Sequence, residues 1–229
     1  MARRPYFTRD LFRFLTDLKK NNDRDWFKAH RDRYEEAVKA PMLAFIEDLA
    51  PAMAKVSEHV VVSAKPVGGS MFRIHRDTRF SKDKSPYKTH AAMQFRHVAG
   101  KDVHAPGFYL HLEPGDVFMG GGMWHPDNKA LTSIRTRLAD DPDAWKKVTR
   151  SKTFRDSFAL YGGSLKRPPR GFDADHSFVE DLKRKDFIAV SSFDPDAPLD
   201  AGFMADFTKR CRRAAPFMRW LCDAVDLGF

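Results

Sequence analysis

Residues 71–90, MFRIHRDTRFSKDKSPYKTH, hold the densest set of groups able to do chemistry: Arg73, Arg76, Arg79, Lys82, Lys84 and Lys88 against two carboxylates, Asp77 and Asp83. Arginine offers paired N–H donors that match phosphate or carboxylate, and lysine adds point charges, so the stretch suits an anionic small molecule. A solvated charge run has no need of Phe72, Ile74, Phe80, Pro86 and Tyr87 between the charges; a loop that holds cations in fixed places does. Asp77 and Asp83 read as ion-pair partners that order this loop. If the protein is an enzyme, His75, His111 and His176 are the candidate proton carriers, because imidazole titrates near neutral pH.

Other chemistries compete. His111-Leu112-Glu113 puts an imidazole and a carboxylate on one face of a strand, and His125 or His176 would complete a two-histidine, one-carboxylate set for iron or manganese. The H-x-E triplet arises easily by chance, so no metal ligand is assigned and no cofactor is named. Gly120-Gly121-Gly122 fits neither a P-loop nor a dinucleotide fingerprint and reads as a tight turn that ends a strand. Asp127 with Asp181-Leu182-Lys183 fails as a nuclease pair, because that triplet falls on an expected helix rather than a strand.

A net charge of +9 favours anionic partners. Nucleic acid is the alternative partner to a small molecule, with Tyr87 and Tyr109 available for base stacking. The charge is spread along the whole chain and no nucleic-acid motif appears, which makes it the weaker reading. A purely structural or interaction role is the remaining alternative. Twenty Phe and four Trp exclude intrinsic disorder, and no apolar run reaches the length of a membrane span. The N-terminus lacks an apolar leader, and Cys211 and Cys222 form no disulfide or zinc framework, so a reducing cytoplasm is expected.

The elements that must position these groups follow from periodicity. Thr8 caps a helix over 10–20 with a Leu11, Phe14, Leu15, Leu18 stripe, and Asn21-Asn22-Asp23 opens a second helix that runs through Lys39. Trp26, His30 and Tyr34 share a face of that second helix and read as core. Pro41 begins a third helix with Met42, Phe45, Ile46, Leu49, Met53 and Val56 inward. From His59 the period becomes two, which predicts strands over 60–62, 71–75, 91–98, 107–113 and 116–119. Phe72, Ile74, Met93, Phe95, Phe108, Leu110 and Leu112 are expected to face the core. Arg73, His75, Gln94, Arg96, Tyr109, His111 and Glu113 would form a polar floor. Asp127 or Asn128 caps a helix to Asp140, another starts near Pro142, residues 162–175 form a loop, and Asp175 caps a short helix. The C-terminal segment is helical, with a kink or restart at Pro216.

The expected fold is therefore α+β: one domain, with a mainly antiparallel sheet of about five to six strands and N- and C-terminal helices packed on one face. Its parts are helical over 8–57, sheet-forming over 59–124, and helical over 127–229 with one further strand near 186–193.

NNDRDWFKAHRDRY, MFRIHRDTRFSKDKSPYKT, GFYLHLEPG with its glycines and Trp-x-Pro, and LKRPPRGFDADH with LKRKDF together resemble the family of domain of unknown function 2461 over nearly the whole chain. The resemblance implies a single domain and brings no established activity. It marks the cationic block of residues 73–88 as a hallmark, and Lys166, Gly171, Phe172, Asp175 and His176 as a second one. The central expectation is that Arg73, Arg76, Arg79, Lys84 and Tyr87 surround one cavity, with Lys82, Lys88 and Tyr109 adding to the ligand site.

Overall fold

A computed structural model describes residues 4–100 and 105–229. Helix α1 (Arg9–Lys20) begins where the Thr8 hydroxyl accepts from Asp10 N, and it buries the expected stripe of Leu11, Phe14, Leu15 and Leu18. Asp23 caps α2 (Arg24–Ala29) by accepting from Trp26 N at 2.8 Å, and α2 stops at His30. After α3 (Arg31–Tyr34), a π turn (Glu35–Lys39) leads straight into α4 (Ala40–Ala54). The widened turn directly precedes Pro41, whose ring would collide with the Ala37 carbonyl in a regular helix.

Five strands form one antiparallel sheet in the order β1 (Ala91–Arg96), β2 (Gly107–Glu113), β3 (Asp116–Met123), β5 (Phe187–Ser192), β4 (Ala159–Tyr161). On one face Met93, Phe95, Phe108, Leu110, Leu112 and Met119 are fully buried. The long α9 (Phe203–Ala224) covers them, with Phe207 against Phe95 and against Phe45 of α4. Pro216 lies inside α9 without ending it. The α+β class and the placement of terminal helices on one face are as expected. Buried side chains from Phe7 to Ala224 make one contiguous cluster. Among the described residues no helix is long and apolar enough to cross a membrane.

Several local expectations are corrected. Residues 60–62 and 71–75 are not strands; they touch the sheet only through isolated bridges, Val60 with His97 and Met71 with Met93. Phe72 N and Gln94 N bond to Ala92 O and Ser70 O across the outer edge of β1, so these segments cover that edge instead of extending the ladder. The three glycines do not end a strand. They lie within β3, where Gly122 takes φ +144° and an added Cβ would sit 2.0 Å from Phe187 O. Three short elements were not foreseen: β4, α7 (Lys152–Ser157) and the 3₁₀ turn at Ala197–Leu199. The short helix α8 (Val179–Leu182) starts after Phe178, without a side-chain cap from Asp175. Helices α5 (Asn128–Asp140) and α6 (Pro142–Thr149) are capped by Asp127 and Asp141.

Candidate functional site

The loop of residues 71–90 is tied down at its base. Tyr87, 5% exposed, stacks on Phe27 of α2 with ring centroids 4.2 Å apart. The Asn22 side chain donates to Tyr87 O and accepts from Tyr87 N, so the loop hangs from the turn before α2. His75 and Tyr87 form an antiparallel bridge flanked by Arg76 N to Pro86 O and Lys88 N to Ile74 O. Within the loop Arg76 pairs with Asp83, and Arg79 pairs with Asp77 at 2.7 Å. The Arg79 guanidinium holds the Asp77 carboxyl down to about 2, and the Ser85 hydroxyl with Arg76 holds Asp83 lower still. The two acids thus serve as loop-ordering partners.

These groups do not surround one cavity. Arg73, His75 and Tyr87 line a cleft of 390 Å³ against α2, α3 and the π turn. Arg76, Tyr87 and Lys88 line a second hollow of 610 Å³ that also includes Lys19, Asp83 and His90. Tyr109 and His111 line a third, an apolar trough of 470 Å³ on the open sheet face. Arg79, Lys82 and Lys84 are exposed and line none of these three; Lys84 Nζ donates to Thr78 O at 2.9 Å. Arg73 and His75 therefore turn toward the helices rather than to a floor shared with Tyr109. Phe72, expected in the core, lies over the open face with its ring 6.1 Å from Tyr109. The physical cause is the chain crossing the β1 edge at Met71, which breaks the strand alternation that assigned these side chains.

The helix cleft gathers cations that the sequence reading did not single out. Arg24, Lys28 and Arg31 fall at helical spacing on α2 and α3, facing Arg73 and His75 across the cleft. Lys39 also lines it, but Lys39 is paired at 2.7 Å with Glu35, the only carboxylate among the lining residues. No carboxylate pairs with Arg24, Lys28, Arg31 or Arg73 among the described residues. The i, i+4, i+7 spacing of residues 24, 28 and 31 is the sequence signal for this stripe. Burial, then Arg73, Lys88 and Arg24, pushes the His75 imidazole below its ordinary value. Lys88 donates to Arg73 O and His75 O, and burial with Arg73 and Arg76 lowers its ammonium. Tyr34, at the cleft wall, is pushed up to about 12 by burial and Glu35, so it keeps its proton.

On the open face a second cluster forms. His111 Nε2 lies 3.4 Å from Glu113 Oε2, and His111 Nδ1 lies 2.9 Å from the Tyr109 hydroxyl. His90 packs beside His111 with ring centroids 4.5 Å apart. Burial and the neighbouring His111 lower His90 to about 4; burial also lowers His111 and raises Tyr109. Neither expected histidine completes the H-x-E pair. The His125 ring sits 2.8 Å from the buried Asp186, whose carboxylate also accepts from His125 N and Gly163 N. His176 lies in the loop after Gly162, where its Nδ1 accepts from Phe178 N. His90 was missed although a signal existed: continuing the β1 alternation backward from Gln94 and Ala92 puts it on the open face. One further step of the Ala91–Leu112 register puts it opposite Glu113.

No curated protein matches this chain. The model of the conserved hypothetical protein family DUF2461 matches residues 10–220, and the chain belongs to that family.

Proposed function

We propose that this protein binds an anionic small molecule, bearing phosphate or carboxylate groups, in the cleft between Arg73 and the Arg24–Lys28–Arg31 stripe. The observation that carries the reading is a charge imbalance: four cations converge on one cleft whose only lining carboxylate is taken by Lys39. Like charges gathered at a concave surface cost energy unless an anion neutralises them, and low-dielectric walls of Phe27, Tyr34 and Tyr87 strengthen the field. Burial first, and then Arg73, Lys88 and Arg24, lower the His75 imidazole in the cleft. A volume of 390 Å³ suits a small metabolite-sized ligand. Arginines 24, 31 and 73 would supply forked donors, and the Tyr34 hydroxyl a neutral one. His75, kept neutral by its surroundings, is the group in this cleft able to accept a proton from the bound molecule. With Cys211 and Cys222 both free and buried, we place this activity in a reducing, cytoplasmic setting.

The test is calorimetric titration with pyrophosphate, a sugar phosphate and a tricarboxylate at fixed ionic strength. Binding that weakens at least tenfold in Arg73→Ala and Arg31→Ala, and stays unchanged in Arg79→Ala, is the expected result. Affinity indifferent to Arg73 and Arg31, or no binding at millimolar ligand, contradicts the reading.

A further inference from the structure

We infer that His90, His111 and Glu113 bind one divalent first-row transition-metal ion on the open face of the sheet, separately from the anion cleft. One nitrogen of each imidazole and one carboxylate oxygen lie within 4.8 Å of one another. Ligands held roughly 2.1 Å from a common ion stand about 3–4 Å apart, so the set closes on a metal with small side-chain rotations. His111 Nε2 and Glu113 Oε2, at 3.4 Å, already have that separation.

The surroundings are those of a prepared ligand set. His111 is clamped on one side by Phe118, stacked at 4.6 Å and 14°, and by His90 at 4.5 Å. Its Nδ1 lies 2.9 Å from the Tyr109 hydroxyl, and in the tautomer whose Nδ1–H donates to that oxygen the Nε2 lone pair is free to bind an ion beside Glu113. The other carboxylate oxygen, Oε1, receives Thr89 Oγ1 at 3.4 Å and Lys19 Nζ at 3.5 Å, which leaves Oε2 for the ion. His90 supplies the second, independent observation. It is half-buried, yet no described residue hydrogen-bonds either of its ring nitrogens, and its ring packs against that of His111. A simple hydrogen-bonded trio would occupy that imidazole; a metal ligand set accounts for an imidazole left with a lone pair beside a carboxylate.

Two imidazoles and one carboxylate leave coordination positions open for water or substrate, as in the facial sites that carry iron, manganese or zinc. His90 lines the cation-rich hollow with Arg76 and Lys88, and His111 lines the apolar trough, so the proposed centre joins a polar and an apolar concavity.

The test uses full-length, untagged protein freed of metal by chelator and titrated with Co(II) and Zn(II) against a chromophoric competitor. One ion per chain is expected, with Co(II) showing ligand-field absorption. Glu113→Gln and His90→Ala are expected to weaken binding at least tenfold, and Tyr109→Phe about tenfold because its hydroxyl orients the His111 ring. Each variant is checked for an unchanged metal-free melting curve, so that loss of fold is not mistaken for loss of ligand; should His90→Ala unfold, His90→Gln replaces it. Binding below one ion per two chains, or equal affinity in wild type, Glu113→Gln and the His90 variant, overturns the proposal.

Discussion

Asn22 and Tyr87, 65 residues apart in sequence, are joined as two residues of a ladder are: the Asn22 amide donates to Tyr87 O at 3.0 Å and accepts from Tyr87 N at 3.1 Å. One side chain thereby fixes the base of the cationic loop against the helix that supplies the opposing cations. Each such bond contributes about 1 kcal/mol net. Asn22→Ala is therefore expected to lower stability by about 1–3 kcal/mol with an unchanged denaturant slope, and to weaken anion binding. A urea titration checks the first effect; stability equal to wild type contradicts it.

Gly122 and Gly120 offer a contrast within one strand. At Gly122 a Cβ would lie 2.0 Å from Phe187 O with φ at +144°, whereas at Gly120 the nearest atom is Ile188 Cγ2 at 3.6 Å. Gly122→Ala should cost roughly 3 kcal/mol or more, from strain and collision together. Gly120→Ala should cost under about 1 kcal/mol and only make the apolar trough shallower. Thermal melts of the two variants decide; similar losses would mean that the glycines act as one flexible hinge.

The two cysteines are fully buried in α9. Burial raises Cys211 well above the ordinary thiol range, and burial with Asp223 raises Cys222 to about 12. A thiol whose folded value is raised keeps its proton in the native state, so its contribution is intact below the unfolded value near 8.5 and falls as pH rises above it. At pH 8 a disulfide reagent should label neither residue in native protein over minutes, and both in denaturant. Rapid native labelling would place one thiol at the surface.

The fold was legible where local chemistry and periodicity agree. Thr8, Asp23 and Asp127 cap the helices they were expected to cap or open, and the alternation in 91–96 and 107–113 sorted Phe95, Leu110 and Tyr109 to their correct faces. It failed at residues 71–75, where alternation is genuine but the chain crosses a sheet edge, a tertiary fact with no local signature. The proposed anion cleft was half legible: Arg73 was named, but Arg24, Lys28 and Arg31, which line the cleft with it, come from a helix read for its apolar side. Of the proposed metal ligands, His111 and Glu113 were legible. His90 was hidden by its place one residue before the strand it faces along, and the two histidines chosen instead are held by Asp186 and by Phe178 N.

The imidazole of His75 tests the central claim most directly, because it lies in the proposed anion cleft and is flanked by Arg73, Lys88 and Arg24. Followed by NMR through a pH titration at constant ionic strength, its midpoint is predicted to lie below the ordinary value of 6.5, because burial and these cations disfavour its charged form. By linkage, a bound anion offsets the cations, so saturating pyrophosphate should move the midpoint upward, and the shift should shrink in Arg73→Ala. A midpoint at or above 6.5 without ligand, unmoved by pyrophosphate, would contradict the account.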